Sequence, residues 1–184
     1  MKRRLFLQFP LLAAVAPLLA KRQQQQGFKK GFAVRSNKDR YQEEFNIMGG
    51  RFDCKLSGKD TGGALCIYDT VRHEKGGPAL HIHHQQDELF YVIKGEFIIK
   101  VGEDTFNLSA GDFAFAPRKT PHAFAKINDE EAQMLVMFQP AGSMEDFFKQ
   151  MSKLGKDIPK NQETTLKTLW ATHGMEIVGP PLKV

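Results

Sequence analysis

The chain has 184 residues, of which 41% are hydrophobic and 26% charged, enough for one domain with a buried core. Its formal net charge is +5, but without the basic residues at positions 2–4 the 26 Lys and Arg become 23, against 21 acidic residues. No arginine-rich helix or aromatic RNA-binding strand pattern is present, so we expect no nucleic-acid partner.

The first twenty residues have the pattern of a removable export signal. Three basic residues at 2–4 precede an apolar run at 9–20 that ends in a small residue. The adjacent arginines resemble a twin-arginine signal, which predicts a signal peptide at 1–20 and an exported, periplasmic protein. The apolar run is short and contains Pro10 and Pro17, so we expect no stable membrane span after processing. An uncleaved anchor is the alternative.

A polar tether is predicted over residues 21–44, and a sheet domain over residues 45–140. The predicted strands cover residues 51–56, 64–71, 79–84, 88–93, 96–101, 105–108, 112–116, 121–127 and 132–138. Turn residues separate these short segments, and no helical pattern intervenes. Such a series predicts an all-β antiparallel sandwich or barrel.

The apolar spacing changes after residue 140, which predicts a helical extension over residues 141–184. Ser143 and Asp146 have the spacing of a capping box, and the following apolar residues repeat at helical intervals up to residue 154. A second short helix is predicted over residues 164–173. We expect both helices to pack on the outside of the sheet domain or over one of its ends.

Cys54 and Cys66 are the only cysteines, and they do not have the spacing of a metal site. A hairpin between them would bring them near each other, within reach of a disulfide. Buried free thiols are the expected state, and a disulfide is the alternative.

Three histidines and one glutamate form the pattern that carries chemistry. His81 and His83 lie two apart on a predicted strand, so both imidazoles face the same side. Glu88 follows after a turn, and His122 enters a later strand after a proline-rich turn. Three imidazoles and one carboxylate suit a first-row divalent ion. His84 is expected to face away from this site.

The same residues carry a resemblance to the cupin superfamily. Its first motif, G-x5-H-x-H-x3or4-E-x6-G, is matched by His81, His83, Glu88 and Gly95, and its second, G-x5-P-x-G-x2-H-x3-N, by Gly111, Pro117 and His122. Three positions depart from the motifs: the first glycine falls late, one position at Gly76 or two at Gly77, Lys119 replaces a turn glycine, and Lys126 replaces an asparagine. None of these departures removes a ligand.

The resemblance implies a cupin double-stranded β-helix, or jelly-roll barrel, with short C-terminal helices. It also implies one divalent transition metal (Fe, Mn, Ni, Co, Cu or Zn) held by His81, His83, Glu88 and His122. In the alternative, the same side chains are only hydrogen-bonded to one another. A homodimer is compatible with this fold.

Within the superfamily, the segment 77–96 is similar to small bacterial quercetin 2,3-dioxygenase-like cupins. This implies a dioxygenase that opens the ring of a flavonol or related enol or phenolic, with Glu88 as ligand and also as catalytic base. A base in that position needs a pKa raised by a dry surround. Phe113, Phe115 and Phe124 are candidates for the lining of an apolar substrate pocket.

Two further functions are compatible with the fold, because cupin barrels host unrelated activities. One is a periplasmic metal-dependent protein that binds a small sugar or phenolic without turnover. The other is a non-redox sugar isomerase. Trp170 and His173 are expected to serve helix packing rather than the site.

Overall fold

A computed structural model describes residues 30–155 and 163–184 of the chain. The predicted signal peptide at 1–20 and the first part of the predicted tether lie outside the described residues. Among the described residues, no helix is both long enough and apolar enough to cross a membrane.

Strands are the main regular elements of the described chain, and several of them alternate buried and less buried side chains as the sequence predicts. The strands before the helices are β1 (Phe45–Ile47), β2 (Gly50–Leu56), β3 (Cys66–Arg72), β4 (Ala79–His83), β5 (Asp87–Lys94), β6 (Glu96–Val101), β7 (Asp104–Ser109), β8 (Phe113–Ala116), β9 (His122–Lys126) and β10 (Ala132–Gln139). The helices α1 (Met144–Leu154) and α2 (Glu163–Thr172) follow, and the last strand is β11 (Met175–Pro181).

Two antiparallel sheets form the fold. The six-stranded sheet has the order β1-β2-β3-β10-β5-β8, and the five-stranded sheet has the order β11-β4-β9-β6-β7. Their facing sides bury one aromatic and aliphatic core. The predicted all-β jelly-roll with short C-terminal helices is confirmed.

The C-terminal extension differs from the purely helical segment that the sequence predicts. Its last part, β11, pairs with β4 and places Met175 opposite His83. The predicted capping box is also wrong, because Ser143 makes no side-chain cap bond to α1. Its Oγ instead lies 2.9 Å from His173 Nδ1, so it joins the start of α1 to the turn after α2.

The described part of the predicted tether, residues 30–44, is bound to the six-stranded sheet. The Asp39 carboxylate accepts a 2.6 Å hydrogen bond from the Cys54 backbone N–H, and Lys55 Nζ donates to the Lys38 carbonyl at 2.7 Å. These bonds hold this part of the segment against β2.

Both cysteines are buried free thiols, as expected. Cys54 lies opposite Tyr68 rather than Cys66 in the β2–β3 pairing. Burial, helped by nearby carboxylates, raises the pKa of the Cys54 thiol to about 12. The thiol therefore stays protonated at neutral pH, which makes it a poor nucleophile.

Candidate metal centre

The two sheets bring His81, His83, Glu88 and His122 together inside the barrel. His81 and His83 lie on one face of β4, and His122 on β9 lies directly opposite His81 in the strand register. Glu88 reaches the same point from β5 in the other sheet. All four residues are buried, and one ligand atom from each lies within 4.8 Å of the others. The convergence that the sequence predicts is what the structure shows.

Glu88 Oε2 lies at the centre of the cluster. It is 2.8 Å from His122 Nε2, 3.2 Å from His83 Nε2 and 3.8 Å from His81 Nε2. These four groups can therefore face one ion with only small movements of the side chains.

Backbone carbonyls fix the orientation of two of the three imidazoles. His81 Nδ1 is 2.8 Å from the Ala79 carbonyl, and His122 Nδ1 is 2.8 Å from the Thr120 carbonyl. A ring whose Nδ1–H donates to a carbonyl presents the lone pair of Nε2, as metal-binding histidines commonly do. His83 Nδ1 has no such partner among the described residues. The donor set and its orientation fit a first-row divalent metal.

The burial of the cluster changes the protonation of its members. Burial is the main cause that lowers the pKa of His81, to about 4, so this imidazole is neutral at pH 7. For Glu88, burial would raise the pKa, but the three surrounding imidazoles, with His122 nearest, outweigh it and hold the pKa well below its ordinary value. The ionised form is the one that binds a metal ion, so this shift suits Glu88 as a ligand, and its role as catalytic base stays a prediction.

The turn before His122 is tied to the strands that carry the other ligands. Lys119 N–H donates to the His83 carbonyl at 2.7 Å. Arg118 makes a two-pronged pair with Asp87, the neighbour of Glu88, with contacts of 3.0 Å and 2.7 Å. Lys119 has φ +67°, the left-handed conformation that the expected glycine of the motif would adopt more easily. The departure from the motif changes the residue but keeps the turn.

A cavity of about 50 Å³ lies beside the cluster. Apart from His81, His83 and Glu88, its lining is apolar: Ile47, Met48, Phe52, Pro78, Phe124, Val136, Phe138, Met144, Phe147, Phe148, Met151, Trp170 and Met175. Phe124 lies in this lining as expected. Much of the wall comes from α1, α2 and β11, which sequence analysis did not assign to the site. The one available sequence sign was the run of Met and Phe on the apolar face of α1.

Trp170 packs against Phe147 of α1, as expected for helix packing, and it also belongs to this wall. Its indole is 3% exposed, and it meets the His81 ring edge-on with 4.9 Å between ring centroids. His173 lies outside the lining and bonds to Ser143 and Gln150, in agreement with a packing role.

Phe113 and Phe115 do not line the cavity, contrary to expectation. Their side chains are 52% and 50% exposed on the outer face of β8, whereas Ala114 and Ala116 are buried. Strand alternation allows either the two phenylalanines or the two alanines to face inward. The sequence prediction placed the phenylalanines inside because of their large rings, and this prediction is wrong. Ala116 lies opposite Glu88, where the inner face is filled by the cluster. His84 is exposed and faces away, as expected.

Comparisons with known proteins agree with this architecture. Residues 70–138 match the cupin domain family. An uncharacterized protein of Methanocaldococcus jannaschii is 30% identical over 67 residues, which cover 36% of this chain and 54% of the relative. One of Streptomyces coelicolor is 35% identical over 60 residues, 33% of this chain and 56% of the relative. The chain thus spans about half the length of the curated relatives that it matches.

Among solved structures, an RmlC-like cupin from Shewanella frigidimarina superposes with a TM-score of 0.50 at 23% identity. The match covers 64% of this chain and 96% of that protein, and at this identity it shows a common fold. All four clustered side chains lie within the residues that match the cupin domain family. The two sheets around them have the cupin fold, so the chain contains a cupin-like domain.

Proposed function

We propose that this cupin is a metal-dependent dioxygenase of a small, uncharged enol. One observation carries the proposal: three imidazoles and a carboxylate converge beside a cavity whose remaining lining is apolar. Ligand sites in proteins commonly combine an apolar wall with a few directed polar groups.

The four clustered side chains would hold one divalent ion in this site. Such an ion, when bound, supplies a Lewis acid for the enol oxygen and, if it is redox-active, a centre for dioxygen chemistry. His81 stays neutral because its pKa is lowered to about 4, and Glu88 stays ionised, so both are ready to act as ligands at neutral pH. In a dioxygenase both oxygen atoms enter the substrate, so the reaction needs no external reductant.

The lining of the cavity limits the charge of the substrate. It contains no Lys, Arg, Ser or Thr among the residues that the structure describes. Apart from the metal ion itself, a phosphate or carboxylate would find no positive partner in this lining, so any charge that the metal does not bind would enter at a high desolvation cost. The hydroxyl groups of a sugar would also lack partners, which argues against the sugar isomerase.

The volume of the cavity limits the size of the substrate. About 50 Å³ accommodates a few water molecules or a ligand of similar size. A three-ring flavonol is much larger, and Phe147, Phe148 and Trp170 are among the bulky side chains that enclose the cavity. We therefore propose a small enol instead of the flavonol that the sequence resemblance implies.

Binding without turnover is the second candidate. It is favoured by the lining, because every titratable residue that lines the cavity in the described part of the chain belongs to the four-residue cluster and no separate base is present there. The two functions differ in one measurable respect, the consumption of oxygen.

Oxygen uptake by metal-loaded protein tests the proposal. We expect uptake with small enolisable ketones that carry two oxygens, and none with quercetin. The variant His83→Ala should lose this activity, whereas His84→Ala, whose ring is exposed, should retain it. Ligand binding with no oxygen uptake would support the binding protein instead, and uptake with quercetin alone would contradict the size argument.

A further inference from the structure

Trp170 has a hydrogen-bond donor that the fold does not use. It is the only tryptophan of the chain, and its side chain is 3% exposed. Its Nε1 is buried and has no hydrogen-bond partner among the residues that the structure describes. The indole N–H can only donate, and buried tryptophans usually find an acceptor for it.

The indole ring lies beside the proposed metal centre. Trp170 lines the cavity and lies edge-on to His81, with an angle of 81° between the two rings. On another side it packs against Phe147, with 5.2 Å between centroids. The indole is thus held firmly between a ligand of the centre and the apolar wall.

Among the described residues that line the cavity, none accepts a hydrogen bond from this N–H. Glu88 is the one lining residue in this part of the chain whose side chain carries oxygen, and its Oε2 already faces three imidazoles. A molecule that enters the cavity can supply the missing acceptor.

We propose that Trp170 Nε1–H donates a hydrogen bond to the substrate. This inference rests on the proposed function, because the substrate must first lie at the four-residue cluster. One oxygen of the substrate lies at the cluster and a neighbouring oxygen accepts from Trp170. The substrate class is therefore a small uncharged molecule with two adjacent oxygens, such as an enol next to a carbonyl. A monofunctional alcohol or phenol lacks the second contact.

Two probes of equal size test the proposal on protein loaded with Co(II). Acetohydroxamate and imidazole each have five non-hydrogen atoms and bind divalent metals, but only acetohydroxamate offers oxygen acceptors beside the metal. The visible spectrum of Co(II) reports binding of either probe without using tryptophan fluorescence. Trp170→Phe keeps a ring against His81 and removes the N–H.

We expect Trp170→Phe to weaken the binding of acetohydroxamate by roughly three- to tenfold, the range of one neutral hydrogen bond. The affinity for imidazole should change by less than about twofold, since imidazole makes no such bond. Phe147→Leu is the matched control, because it alters the same wall without a donor and should affect both probes alike. If Trp170→Phe lowers the affinity for both probes equally, or lowers neither, the proposal is overturned.

Unmodified protein loaded with Zn(II) gives an independent readout. Acetohydroxamate should shift the emission of Trp170 to longer wavelength through the new hydrogen bond, and imidazole should not. An unchanged emission with acetohydroxamate bound would overturn the inference and leave the metal centre intact. Failure of Co(II) to bind would instead overturn the proposed function together with this inference.

Discussion

The ring of Phe148 links the stability of the fold to the size of the cavity. It is buried among the rings of Phe52, Tyr68, Phe138 and Phe147, with centroid distances between 4.7 and 5.8 Å. Replacement of a buried phenylalanine by alanine costs about 3–5 kcal/mol, because packing is lost and a cavity remains. Phe148→Ala should lower the free energy of unfolding by about that amount.

Urea denaturation measures this change through the midpoint, provided that the slope stays constant. Phe113→Ala is the matched control, because that ring is 52% exposed on the outer face of β8. Its cost should be about 0.5 kcal/mol or less, as for ordinary surface changes. Phe148→Ala should also enlarge the cavity and admit ligands bigger than those of the original protein. Equal costs for the two variants would refute the assignment of inner and outer faces.

Three further predictions concern the ligands, the thiols and the turn before the last ligand. His83→Ala should empty the metal site and lower the melting temperature, because metal binding to the folded state adds stability. His84→Ala should change neither. Elemental analysis measures the metal content, and thermal melting measures the stability. Cys54, with its thiol pKa raised to about 12, should resist iodoacetamide in the folded protein and react only after unfolding, which mass spectrometry detects. Arg118 lowers the pKa of Asp87 to about 2, so the stability from this pair is present above the ordinary pKa of about 3.9 and is lost as pH falls through about 2. The difference in melting temperature between Asp87→Asn and the unchanged protein should therefore persist at neutral pH and shrink as pH falls toward 2; a difference that is constant with pH would contradict it.

Most of the barrel could be predicted from the sequence because its strands follow simple rules. Alternation of apolar and polar residues marked the strands from β2 to β10 to within about two residues. The strands that were missed, β1 and β11, lack this pattern. β1 has three residues, and β11 ends in two prolines, so neither has enough alternation to stand out.

The ligands could be predicted because same-face spacing on a strand depends only on local geometry. His81 and His83 share a face wherever their strand lies. The wall of the cavity depends on long-range packing, which spacing does not reveal. Trp170 comes from a helix far along the chain. The side of β8 that faces inward carries small residues, because Ala116 lies opposite Glu88, where the cluster fills the space. The pKa of Glu88 likewise follows from three imidazoles acting together, which its local sequence does not show.

The central claim is that four side chains from both sheets bind one metal ion. Anomalous diffraction at the absorption edge of the metal, from crystals of protein purified with its native metal, tests this claim directly. The account predicts one peak about 2.0–2.2 Å from Nε2 of His81, His83 and His122 and from an oxygen of Glu88. No peak between these four groups in metal-containing crystals, or a peak elsewhere in the molecule, would contradict it.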